Sequence, residues 1–178
     1  IVIFSIFSCD KAEHYNEQKE KIVIREIISG DTLIIAQLLN DSILKGNTKS
    51  FVFGKLIKTM NFENNIPFGD SYEYYQNGEI KKYKCYDFKG ELAYISTYDN
   101  IGTLVKEDGQ TLIQFNLNTE NDFENVKINI PFFGKFCVAN PPNSTQKLYS
   151  GIKTESGIKE IESLYIKNNI AHYKKVFT

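Results

Sequence analysis

The sequence predicts an all-β protein: an antiparallel meander of hairpin repeats followed by a small β-sandwich or second packed sheet. Glycine returns every twelve residues, at Gly78, Gly90 and Gly102. Each closes the same phrase: Tyr74-Tyr-Gln-Asn-Gly78-Glu-Ile80, Tyr86-Asp-Phe-Lys-Gly90-Glu-Leu92 and Tyr98-Asp-Asn-Ile-Gly102-Thr-Leu104. An aromatic lies four residues before each glycine and an aliphatic two after it. Runs of β-branched and aromatic residues, bounded by turn formers, continue this pattern on both sides of the repeat. A unit this short is one strand plus a turn, so consecutive units stack as neighbouring strands and enclose no pocket of their own.

The chain opens with eight apolar or small residues, Ile1-Val-Ile-Phe-Ser-Ile-Phe-Ser8, before Cys9. A bilayer span needs about 20 apolar residues, so residues 1–8 read as the end of a secretory signal and not as a membrane helix. Ile6-Phe7-Ser8-Cys9 resembles a bacterial lipobox, in which the signal is cut before a cysteine that is then acylated. The resemblance implies lipidation at Cys9 and an address in the bacterial cell envelope. Residues 9–20 are mostly charged and amide side chains without strand alternation, a composition that stays solvated and suits a tether.

The meander is expected over residues 21–109. Lys21-Ile-Val-Ile-Arg-Glu-Ile-Ile28 and Thr32-Leu-Ile-Ile-Ala-Gln-Leu-Leu39 flank Ser29-Gly30-Asp31, so they read as a hairpin that starts the sheet. A fainter copy of the repeat follows. Gly46, Phe51 and Gly54-Lys-Leu56 answer Gly69, Tyr74 and Gly78-Glu-Ile80. Within the clear copies, Asn77-Gly78 suits a two-residue turn with φ > 0 at both positions. Asp87 and Asp99 can bond their own backbone two residues on, and Gly54, Gly78, Gly90 and Gly102 close the turns. Ile80, Leu92 and Leu104 are expected to stack as one aliphatic ladder, and Tyr74, Tyr86 and Tyr98 as a parallel aromatic ladder. Residues 39–109 resemble MORN-type repeats in their bacterial variant, and the Tyr-Asp phrases resemble those of secreted bacterial repeat proteins.

Residues 110–178 are expected to form a C-terminal β unit, separate from the meander or continuous with it. Strand candidates are 111–117, 126–133, 135–139, 148–153, 163–167 and 170–177. Asn168-Asn169 makes a good two-residue turn between the last two. Asn140-Pro-Pro-Asn-Ser-Thr145 is a loop, because proline cannot sit in a central ladder. Gly157–Leu164 could instead be a short helix.

A net charge of −1 supplies no field for gathering nucleic acid, and Arg25 is the only arginine among 21 basic residues. Neither a nucleic-acid partner nor a cofactor is expected. His14 and His172 are the only histidines and no Cys-x-x-Cys accompanies them, so no metal site is expected. Ser144-Thr-Gln-Lys147 has the Ser-x-x-Lys spacing of penicillin-binding enzymes, but it follows Pro-Pro and lacks the partner motifs. Asp87 and Asp99 are turn residues before they are a carboxylate pair. No catalytic residue is assigned. With Cys9 acylated, Cys85 and Cys137 remain. They could oxidise outside the cytoplasm, or each could serve as a small buried hydrophobe.

One surface stands out. Tyr72, Tyr75, Tyr83 and Tyr94, with Lys81, Lys82 and Lys84 among them, could form a sticky face for protein or glycan, since tyrosine offers contact area at low entropic cost. The expected function is that of a membrane-anchored, non-enzymatic interaction or scaffold module. Resemblance of the repeats to immunity proteins supplies a toxin-binding alternative. A hydrolase working through the C-terminal third is a second.

Overall fold

The computed structural model describes residues 21–115, 131–155 and 157–176. The signal remnant 1–8, Cys9 and the tether lie outside the described residues, as do 116–117, 126–130 and 177 of the strand candidates. Eight strands form one antiparallel meander in chain order: β1 (Ile22–Ser29), β2 (Thr32–Leu39), β3 (Ile43–Val52), β4 (Lys55–Glu63), β5 (Ile66–Tyr74), β6 (Ile80–Tyr86), β7 (Leu92–Tyr98) and β8 (Leu104–Gly109). A four-stranded sheet follows in the order β13-β14-β10-β9, from β9 (Leu112–Phe115), β10 (Pro131–Val138), β13 (Ile166–Lys167) and β14 (Ile170–Val176). The pair β11 (Leu148–Thr154) and β12 (Gly157–Leu164) makes a third sheet. The described residues contain no helix, and the fold is the all-β meander with small following sheets that the sequence predicts.

Each repeat phrase is a closed turn bracketed by a cross-strand pair. Tyr74 faces Ile80, Tyr86 faces Leu92 and Tyr98 faces Leu104, each just past a register shift in the ladder. Inside the brackets the hydrogen bonds recur. Tyr75 N donates to Glu79 O, Asp87 N to Glu91 O and Asp99 N to Thr103 O, at 2.8–3.0 Å. Asp87 Oδ1 accepts from Lys89 N and Glu91 N, and Asp99 Oδ1 accepts from Ile101 N and Thr103 N. These carboxylates therefore hold turns, as expected. Gly78, Gly90 and Gly102 all have positive φ, between 81° and 89°. Asn77 does not, so Asn77-Gly78 is no two-residue turn but the end of the same five-residue turn as its two relatives. Asn168-Asn169 is the expected tight turn, with φ of 50° and 64°.

The two ladders do not form. A twelve-residue unit is a single strand, and in an antiparallel meander successive turns fall at opposite ends of the sheet. Ile80 and Leu104 thus share one end, while Leu92 lies at the other. The period that repeats in space is the hairpin, and Gly30, Gly54, Gly78 and Gly102 mark it at intervals of 24 residues along one end. There the hairpins are laced together. Lys55 Nζ donates to Gln76 O, Tyr75 Oη to Tyr98 O at 2.9 Å and Asn77 Nδ2 to Asn100 O at 2.8 Å.

Two local expectations are also corrected. Gly157–Leu164 is strand β12, paired antiparallel to β11, because the pairing satisfies its backbone where a short isolated helix would be marginal. Gly134 does not divide two strands, since β10 runs through it with Gly134 opposite Tyr173. A buried cluster unites Tyr83, Cys85, Tyr94 and Tyr98 of the meander with Cys137 and Ala139. The seam between the meander and the end of β10 is therefore core.

Candidate functional site

In β6 the side chains alternate across the sheet, so Tyr83 and Cys85 point one way while Lys82 and Lys84 point the other. Tyr83 is fully buried and Tyr94 is 5 % exposed, which corrects their place on a Tyr–Lys binding face. Tyr and Lys at adjacent strand positions cannot share a face. Tyr72 is half-buried against Tyr83, with ring centroids 5.4 Å apart, and Tyr83 packs on Tyr94 at 6.0 Å. Tyr94 Oη donates to Glu107 Oε2 at 2.6 Å, and burial together with that bond pushes its hydroxyl up to about 12. Tyr75 is half-buried at the laced end, with Lys81 Nζ 5.6 Å from its ring centre. Tyr72, Tyr83 and Tyr94 thus form an aromatic stack that holds the sheet together, and Tyr75 stands apart from it at the laced end.

On the opposite face, Lys84 Nζ lies 2.7 Å from Glu73 Oε1. Burial pushes the Glu73 carboxyl up, but the Lys84 bond and the charges of Lys84, Lys82 and Lys58 outweigh it and leave the group below its ordinary value. Both side chains of this pair are half-buried.

A polar network at the seam escaped the sequence reading. Asp70 Oδ1, on β5, accepts from Tyr83 Oη at 2.5 Å and from Asn169 Nδ2 at 2.7 Å. Asn169 Nδ2 also donates to Val138 O, and Val138 N returns a bond to Asn169 O. The loop after β10 adds Asn140 N, which donates to Tyr83 Oη at 2.7 Å. Burial holds the Asp70 carboxyl above its usual range even though both side-chain bonds favour the anion. Burial and the neighbouring Asp70 charge likewise push the Tyr83 hydroxyl up. A cleft of about 340 Å³ opens beside this network, lined by Asp70, Asn140, Ser144, Gln146 and Asn169 among others. No sequence signal pairs positions 70, 83 and 169, because their meeting depends on how two sheets dock.

Cys85 and Cys137 do meet. Their sulfurs are 3.8 Å apart in the buried cluster, and the Cys137 bond together with burial pushes the Cys85 thiol up. Among the described residues no group of three or more His, Cys, Asp or Glu could hold a metal ion. His172 is exposed and stands opposite Lys135. Ser144 Oγ is spent on its own loop, donating to Pro141 O at 2.6 Å.

The meander's two edges differ sharply. In the last strand, β8, three of six residues are charged: Lys106, Glu107 and Asp108. In the first strand, β1, five of eight residues are apolar and most of them are exposed, with Ile24 at 66 % and Ile28 at 74 %. Its polar residues are Arg25, Glu26 and the terminal Ser29, and Arg25 is paired with Asp41 at 3.5 Å. Exposed edges are commonly blunted by charge, proline or a bulge, and an apolar one is a template for another strand. No family model, curated protein or solved structure matches this chain.

Proposed function

We propose that this chain is a non-enzymatic interaction module, held on the bacterial cell envelope by acylation of Cys9, and that it receives an extended strand of a protein partner along the outer edge of β1, which no described strand covers. The contrast between the two edges carries this reading. Adding a strand supplies main-chain hydrogen bonds, while alternate side chains give specificity. Ile22, Ile24 and Ile28 lie on one face of β1 and Val23 and Ile27 on the other, so apolar residues would line both sides of the new pair. Large exposed apolar patches on soluble domains commonly mark such interfaces.

A second copy is a poor occupant. A closed two-fold axis relates antiparallel edge strands only in registers that place some residue opposite itself. The two such registers with the longest overlap put Arg25 against Arg25 or Glu26 against Glu26, and like charges directly opposite are destabilising. A foreign strand with an acidic residue facing Arg25 has no such conflict.

Photo-crosslinking in the native envelope tests the interface. A benzoylphenylalanine at Ile24 should capture one partner, a probe at Val105 on β8 should not, and Ile28→Lys should abolish capture at Ile24. Equal capture at both edges, or capture indifferent to Ile28→Lys, would refute the docking site. Cys9→Ser should move the protein from the detergent to the aqueous phase, and wild type found in the aqueous phase would refute the anchor. Turnover of an ester, peptide or glycoside by pure protein would refute the non-enzymatic reading.

A further inference from the structure

Cys85 occupies the packed face of β6 and Cys137 the packed face of β10, two strands in different sheets. Fifty-two positions separate them in the chain, yet their sulfurs are in contact at 3.8 Å. Both residues are almost completely shielded, at 0 % and 1 % exposure. No described His, Asp or Glu joins them as a metal-ligand group. The end of β10 is also the strand that delivers Val138 and, just beyond it, Asn140 to the Asp70 network.

We infer that Cys85 and Cys137 are joined by a disulfide that staples the C-terminal sheet to the meander. The oxidant is a disulfide-bearing molecule, R–S–S–R, and the bond forms by exchange. One cysteine thiolate attacks R–S–S–R, making a mixed disulfide and releasing one thiol, R–SH, after protonation. The second cysteine, having lost its proton, attacks the mixed disulfide, closes the Cys85–Cys137 bond and releases a second R–SH. Two electrons pass from the cysteine pair to the oxidant. Only the thiolate is the attacking form, and the folded seam admits no oxidant, so exchange takes place before β10 docks. Once closed, the bond is sealed by the same packing. It resists reductant while the protein is folded and yields to it when the chain opens.

The test uses residues 1–178 with Cys9→Ser, in which only these two thiols remain. Reduced, denatured protein is refolded with reduced and oxidised glutathione, alkylated with iodoacetamide and mapped by mass spectrometry. The expected product carries a linked Cys85–Cys137 peptide and no alkylated cysteine. The linked form should melt roughly 10 °C above the form reduced in denaturant and refolded with dithiothreitol, as expected for a closed loop of this length. That difference should vanish in the Cys85→Ala, Cys137→Ala double variant. The variant's far-UV circular dichroism reports whether the unlinked fold itself is intact. Folded protein with both thiols alkylated or glutathionylated would overturn the inference. So would a linked form that melts no higher than the reduced one.

Discussion

Replacing Tyr83 by Phe removes one oxygen from a fully buried aromatic and leaves the ring in place. That oxygen donates to Asp70 Oδ1 at 2.5 Å and accepts from Asn140 N at 2.7 Å. A hydrogen bond to a charged group contributes about 1.5–3 kcal/mol, and a donor left without a partner costs about 1–3 kcal/mol when buried. Asn140 is exposed, so water can satisfy part of its N–H, and the second contribution sits at the low end. The expected loss is therefore about 2.5–4 kcal/mol, or roughly 5–15 °C in melting temperature for a chain of this size. Urea unfolding followed by far-UV circular dichroism measures it, since the chain has no tryptophan to report by fluorescence. Tyr75→Phe is the control. Its hydroxyl makes one bond, to Tyr98 O in a half-buried site, and its loss should cost about 1 kcal/mol. A Tyr83→Phe effect below about 0.5 kcal/mol, or one no larger than that of Tyr75→Phe, would refute the network as a seam between the sheets.

Gly90→Ala should lower the melting temperature more than Gly78→Ala. Both lose about 1 kcal/mol to positive φ, but only at Gly90 would the new Cβ fall 2.7 Å from Ile66 Cγ2, whereas nothing lies within 4 Å at Gly78. Equal losses would mean that the β4–β5 turn does not press on the Gly90 turn. Asp70→Asn should change the pH dependence of stability in a defined sense. The folded Asp70 carboxyl is held above its unfolded value of 3.8, so the unfolded chain ionises first. Its effect on stability is then fully favourable below pH 3.8 and is lost as pH rises through the folded value. The variant should gain on wild type between about pH 3 and 7, read from urea midpoints, and a flat or opposite trend would contradict the burial of this group.

Local chemistry was enough to specify the strands of the meander and most of their turns. Alternation of apolar and polar residues, the Asp and Gly positions, and Asn168-Asn169 act within a few residues, so they can be read without knowing what packs where. The twelve-residue phrase also marked each strand with its turn, because an aromatic, a left-handed glycine and an aliphatic are what one turn and its bracketing pair require. Face was misjudged at Tyr83, although its flanking lysines already implied the answer, since neighbours in a strand point to opposite sides. The two ladders were misjudged for a different reason: a one-strand period says nothing about which end of a sheet each turn occupies until the strands are paired. What only tertiary structure decided is everything at the seam. Asp70 with Asn169, Tyr83 with Asn140 and Cys85 with Cys137 are separated by 99, 57 and 52 positions. Contacts at such separations leave no local pattern in the chain, and they arise because the end of β10 and the β13–β14 turn settle against the meander and must satisfy the polar groups trapped there.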